Sequence, residues 1–179
     1  FGMLKKGARA KDFELAIQWL MDAGLVHKVC QVSKPEAPLT FYEEADAFKL
    51  FLLDCGLLGA MNMTDATEAM LTDNIFEEYN GALTEQLVLQ ELKCVPNLPV
   101  YYYTKPNSQQ EIDFLIEIKN CAIPVEAKAG ENLQAKSLKQ FILENKSGKA
   151  IKTSLKQYKG NEVIDNVPLY ALYCYLGER

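Results

Sequence analysis

Two short apolar runs carry acids in places where a strand facing a core would not hold them. Residues 111–119 alternate strictly, with Ile112, Phe114, Ile116 and Ile118 on one side and Asp113 on the other. Residues 122–129 hold Pro124-Val125-Glu126-Ala127-Lys128, a second short apolar stretch broken by an acid and a lysine. Alternation with period two predicts strands. Strand residues two apart point the same way, so Glu126 and Lys128 share a face. A hairpin turning at Asn120-Cys121 sets Lys119 against Ala122 and Asp113 opposite Lys128. Glu126 is then diagonal to Asp113, close enough for one shared ion. Two carboxylates and a lysine on one face form the constellation of a metal-dependent phosphodiesterase. The same residues read equally as a solvated polar face or as a salt-bridge cluster that holds no metal.

Composition narrows the chemistry. The chain has 179 residues, enough for one domain or two small ones. His27 is the single histidine, which rules out a multi-histidine zinc site and leaves no convincing Ser-His-Asp triad. Any ion is therefore expected to be Mg²⁺ or Mn²⁺, held by carboxylates. Five cysteines are scattered without C-x-x-C spacing, which fits a reducing, cytoplasmic compartment better than a disulfide framework. No apolar run approaches the roughly 20 residues that span a bilayer, and no membrane association is expected. The net charge is −5, unevenly spread: residues 1–75 hold 7 Lys/Arg against 11 Asp/Glu, and residues 128–159 hold 8 Lys against 2 Glu. A basic stretch beside the acids suits phosphates, and DNA is the expected partner. A solvated lysine-rich helix explains it as well.

The order of elements predicts a mixed α/β (α+β) fold. Asp12–Ala23 is helical, with Phe13, Ala16, Ile17 and Leu20 as its apolar stripe and Gly24 as its stop. Two β-like runs, Leu25–Val32 and Phe48–Leu53, flank the proline-rich stretch 33–38. A helix followed by a two-stranded ribbon is the back half of a winged helix, assigned to residues 1–60. Acids on its helix make it a packing or protein-contact module rather than a groove reader. Residues 61–75 read as a joint in which Thr72, Asp73 or Asn74 caps the next helix. Residues 76–179 form an α/β sandwich with a mixed sheet: a helix over 75–93, strands at 101–104, 111–119 and 122–129, a lysine-rich helix over 132–145 with Leu133, Leu138, Phe141 and Ile142 apolar, and final strands at 150–155 and 168–176.

The helix over 75–93 is apolar nearly all round, with Phe76, Leu83 and Leu87 on one side and Ala82, Val88, Leu89 and Leu92 on the other. Glu85 projects from the second group, and a buried carboxylate needs a partner or a metal. In the enzymatic reading, Asp113 and Glu126 are the metal ligands and Glu85 completes the shell. Lys128 then orients the attacking water and stabilises developing negative charge. A glutamate at the edge of the face, reaching water, is the other reading.

Glu85, Asp113 and Glu126-Ala127-Lys128 stand in the order of the helix acid, strand acid and E-x-K of the PD-(D/E)xK nuclease superfamily, which the region resembles. More closely, the whole chain resembles the C-terminal part of bacterial and archaeal AAA-type ATPases with a DUF4143 domain. The stretches that carry this likeness are Trp19–Val26, Phe48–Leu58, Gly81–Glu85, Glu111–Phe114 and Val125–Lys128. The resemblance implies a restriction-endonuclease-like fold and a preceding P-loop ATPase module as partner. No G-x-x-x-x-G-K-[ST] occurs, so ATP would belong to that module alone. The chain opens without an initiator methionine and reads as a piece of a longer protein. The resemblance leaves two functions open: a divergent nuclease-like domain acting on DNA, or a catalytically silent nucleic-acid-binding, protein-binding or regulatory module of the ATPase.

Overall fold

The computed structural model describes residues 10–62, 77–106, 110–129, 136–145 and 148–177. Of the expected joint 61–75, residues 63–75 with the capping candidates Thr72, Asp73 and Asn74 lie outside these residues, as do Phe76 and Leu133.

Helix α1 (Glu14–Asp22) follows a 3₁₀ turn and ends at Gly24, whose φ of 69° suits glycine. There the Gly24 and Leu25 amides donate back to Met21 and Leu20, the closing pattern of a left-handed C-terminal stop. The expected stripe is corrected by one face. Ile17 is buried and Phe13 and Met21 half-buried, whereas Ala16 and Leu20 are exposed. The helix meets its neighbours along a single i, i+4, i+8 row, too narrow to cover the i+3 positions.

Strands β1 (Val26–Val32) and β2 (Glu43–Leu52) form the expected antiparallel ribbon, with β2 beginning five residues earlier than the apolar run suggested. Helix α2 (Cys55–Met61) starts at Asp54, whose carboxylate accepts the Leu57 amide at 2.7 Å. Helix α3 (Glu77–Lys93), strands β3 (Val100–Thr104), β4 (Glu111–Ile118) and β5 (Cys121–Ala127), and helix α4 (Lys136–Asn145) come next. Strands β6 (Ala150–Ser154), β7 (Lys159–Gly160) and β8 (Ile164–Pro168) and helix α5 (Leu172–Gly177) close the chain.

All eight described strands join one mixed sheet in the order β2-β1-β3-β4-β5-β6-β8-β7. The N-terminal ribbon belongs to it, through the parallel pairing of Gln31 with Tyr102. The mixed α/β class expected from the sequence is the class found. One face of the sheet packs Val29, Phe114, Ile116 and Val125 against Val88, Leu89 and Leu92 of α3 and Leu172 and Leu176 of α5. The other packs Val32, Tyr103, Ile112 and Leu115 against Leu138 and Phe141 of α4. Both layers are apolar, as a sheet covered on two faces requires. No helix of the described residues is long and apolar enough to cross a membrane. Cys30, Cys55, Cys94, Cys121 and Cys174 are free.

The expected strand at 168–176 is instead a 3₁₀ turn, Leu169–Ala171, running into α5. Tyrosines there favour a strand by propensity. The buried residues Leu169, Leu172 and Leu176 fall at i, i+3 and i+7, a helical row, while Tyr170 and Tyr173 face water.

Helix α3 also ties the pieces together through polar side chains. Gln86, 2% exposed, accepts the Leu52 amide at 3.0 Å and donates to the Leu52 carbonyl at 2.8 Å. Gln90 accepts from the Cys55 amide and Glu91 from the Tyr173 amide. Replacing Gln86 by Ala strands both polar groups of Leu52 at the end of β2. Urea unfolding of Gln86→Ala is expected to show a loss of about 2–3 kcal/mol with an unchanged m value. A loss under about 0.5 kcal/mol would mean that the clamp is replaced by water.

Candidate functional site

The hairpin that carries the acids turns at Lys119-Asn120, both with positive φ (50° and 64°). Two left-handed residues make the turn whose twist matches the flanking strands. The register therefore differs by two residues from the expected one. Ile118 faces Cys121 and Phe114 faces Val125, and the same count sets Asp113 across from Glu126 rather than Lys128. Regular pairing ends at Phe114 and Val125, and beyond it the charge of Glu126 is still felt at Asp113.

The strict alternation of β4 is also corrected. Tyr101 pairs with Leu115 but Tyr103 pairs with Ile112, so two steps along β3 span three along β4. This bulge falls at Asp113-Phe114 and switches the strand's phase. Ile112 and Leu115 accordingly lie in the α4 layer, Phe114 and Ile116 in the α3 layer. The carboxylate at the bulge accepts the Ala127 amide through Asp113 Oδ2 at 2.8 Å. Burial is the chief reason that the Asp113 carboxyl is raised to about 7. The Ala127 hydrogen bond opposes the shift, the fields of Glu85 and Glu126 add to it, and Lys49 opposes it.

Glu126 is the penultimate residue of β5 and is 5% exposed. Its Oε1 meets the Lys128 ammonium at 2.6 Å, while its buried Oε2 has no hydrogen-bond partner. Lys128 lies just past the strand, its amide donating to the Thr153 carbonyl at 3.0 Å. Glu126 and Lys128 share a face, as two-residue spacing requires. Glu85 reaches the same region from α3, half-buried, and its charge is felt at Asp113. Glu126 and Lys128 are thus in contact, while Glu85 and Glu126 reach Asp113 through their charges.

Two others, Lys49 and Lys152, were not singled out. Lys49 of β2 contacts Glu111 Oε1, stands 3.8 Å from Glu85 Oε2 and lies 5.1 Å over the Tyr102 ring. Burial disfavours its charge. The hydrogen bond to Glu111 and the fields of Glu85, Glu111 and Asp113 outweigh that, so its pKa is raised. The signal lay in Phe48-Lys49-Leu50-Phe51, a lone cation in an apolar strand. Lys152 of β6 pairs across from Glu126. Its pKa is lowered by burial, opposed by Glu126 and reinforced by Lys156, Lys139 and Lys128.

Chemically, Asp113 and Glu126 offer hard oxygen donors on adjacent strands, and the unpartnered Glu126 Oε2 is the kind of atom a cation satisfies. Among the described residues, however, no group of three or more His, Cys, Asp or Glu is arranged to hold a metal ion. Glu85, the expected third donor, is engaged by Lys49.

A mixed α/β sandwich with acids on adjacent strands is the class of structure. Residues 80–172 match the family model described as a domain of unknown function, DUF4143, and the chain belongs to that family. Residues 1–68 match a second model, a domain of unknown function termed DUF8612. No curated protein and no solved structure matches the chain.

The raised Asp113 pKa has a sign. Its folded value lies above the ordinary 3.8, so the stability linked to it is fully present below that value and is lost as pH rises through about 7. Asp113→Asn removes this titration and keeps an acceptor for Ala127. Denaturation at pH 4 and pH 8 is expected to show wild type losing up to about 4 kcal/mol relative to the variant. Parallel profiles would mean that Asp113 titrates normally.

Proposed function

We propose that this chain is a divergent nuclease-like domain that uses Mg²⁺ or Mn²⁺ to act on the phosphodiester backbone of DNA. The observation that carries the reading is buried Glu126, with one unpartnered carboxylate oxygen and the Lys128 ammonium 2.6 Å from the other, its charge felt at the half-buried Asp113. Asp113 and Glu126 would hold the ion, with Glu85 as a third donor. When bound, such an ion neutralises a scissile phosphate and acidifies a water. Lys128 supplies a fixed cation where negative charge develops. Lys152, backed by Lys139 and Lys156, extends that positive side along β6 and α4, where a polyanion is attracted. The likeness to AAA-type ATPases adds a preceding ATPase module as partner, a restriction-endonuclease-like fold and a cytoplasmic setting to the proposal.

A second reading is a catalytically silent interaction or regulatory module of that ATPase. Lys49 favours it, because Glu85 and Glu111 already have an internal counter-ion.

Calorimetric titration of Mn²⁺ separates the two. Wild type is expected to bind saturably, with at least a ten-fold loss in Asp113→Ala/Glu126→Ala. Lys128→Ala should keep the ion and lose roughly 100-fold or more of any cleavage of linear or branched DNA. Equal indifference of wild type and double mutant at millimolar Mn²⁺ would leave the silent module.

A further inference from the structure

A cavity of about 460 Å³ lies between α1 and the sheet, and neither Asp113 nor Glu126 lines it. Strand β2 bulges along its wall. Cys30 pairs with Phe48 but Gln31 pairs with Glu44, so residues 45–47 have no partner on β1, and Ala45 and Asp46 border the cavity. Such bulges re-aim side chains and recur beside binding sites. Ile17 and Met21 of α1 and Phe48 and Val100 of the sheet give apolar walls. The polar groups are unevenly satisfied. Burial raises the Tyr101 hydroxyl to about 12 and raises the Cys30 thiol, and Glu43 adds to both shifts by its field and a hydrogen bond. Both groups thus stay protonated at neutral pH and occupy Glu43 as donors. Lys28 donates to the Ala45 carbonyl at 3.0 Å and lies 4.5 Å over the Phe48 ring. Lys93, the last residue of α3, forms no ion pair among the described residues. Burial lowers its pKa, opposed by Cys30. The acids that line the cavity, Glu14, Glu43 and Asp46, are not among the charges that shift it.

We propose that this cavity is a ligand site, separate from the acids of β4 and β5, for a small organic monoanion: one carboxylate or sulfonate on an aromatic or aliphatic body. Lys93 pairs with the anionic head. Its ammonium lacks an acid partner, so the pair forms without breaking another. Lys93 is exposed as a residue, so the head reaches it from solvent. The body lies between Phe48 and the Ile17 and Met21 side chains, where burial of apolar surface drives binding. Glu14, Glu43 and Asp46 repel a second negative charge, which sets the preference for one. The volume is that of a small-molecule site, roughly 300–1,000 Å³. The walls come from both family matches: α1, β1 and β2 lie within residues 1–68, and Lys93, Val100 and Tyr101 within residues 80–172. An occupant therefore braces the two stretches against each other.

Fluorescence titration of anilinonaphthalene sulfonate into the whole chain tests this, with Lys93→Gln, Lys93→Arg, Ile17→Trp and Leu15→Ala/Trp19→Ala. Wild type is expected to bind the dye saturably. Phenylbutyrate should displace it, and the uncharged phenylbutanol should do so roughly ten-fold less well. Lys93→Gln is expected to weaken binding roughly ten-fold or more, the loss of one charged contact, and Lys93→Arg to retain it. Ile17→Trp fills the cavity and should abolish saturable binding. If that variant fails to fold, Met21→Phe takes its place. The Leu15→Ala/Trp19→Ala variant alters exposed side chains of α1 and should bind as wild type does. Binding that Lys93→Gln leaves intact overturns the proposal, and so does equal displacement by the alcohol. Loss in the Leu15→Ala/Trp19→Ala variant overturns it too, because the dye then sits on the outer face of α1. No saturable binding by wild type overturns it outright.

Discussion

The site depends on one hydrogen bond, from the Ala127 amide to Asp113 Oδ2 at 2.8 Å. Regular pairing of β4 with β5 runs from Ile118 and Cys121 to Phe114 and Val125, and the bulge in β4 begins there. Two residues further along β5, the Ala127 amide has lost its strand partner, and the Asp113 side chain takes the place of a backbone carbonyl. An unpaired buried amide costs about 1–3 kcal/mol, so the bulge and the aspartate stabilise each other. The arrangement has a cost of its own. The carboxyl that caps the amide is itself buried, and the hydrogen bond offsets only part of the desolvation that raises it. A group so placed is poised to gain from any cation that reaches it.

Much of this was legible in the residues. The runs at 25–32, 101–104, 111–119 and 122–129 marked strands, 75–93 read as a buried helix, and Glu85, Asp113, Glu126 and Lys128 were marked as one constellation. What stayed hidden has physical causes. A bulge leaves no trace in perfect alternation, because Ile112 and Phe114 are both apolar and either face of a doubly covered sheet accepts them. The hairpin register depended on whether Lys119 or Asn120 opens the turn, and lysine is not a usual left-handed residue. The tyrosines of 170–175 suggested a strand, but tertiary packing of Leu172 and Leu176 on the α3 layer decided for a helix. Lys49 was seen only as an interruption of an apolar run. Its partners lie 36 and 62 positions away along the chain, at Glu85 and Glu111, and only the docking of β1 onto β3 brings them together.

That docking also fixes the electrical character of the surface. On the side of α3, Glu85, Glu111 and Asp113 share Lys49; on the side of α4 and β6, Glu126 lies among Lys128, Lys152, Lys139 and Lys156. The field changes sign between Asp113 and Glu126, at the seam of β4 and β5. Within about 8 Å, the physiological screening length, neither half is masked by salt. On the acidic half, a lysine from the ribbon already supplies the counter-charge, pairing with Glu85 and Glu111 across two parts of the chain.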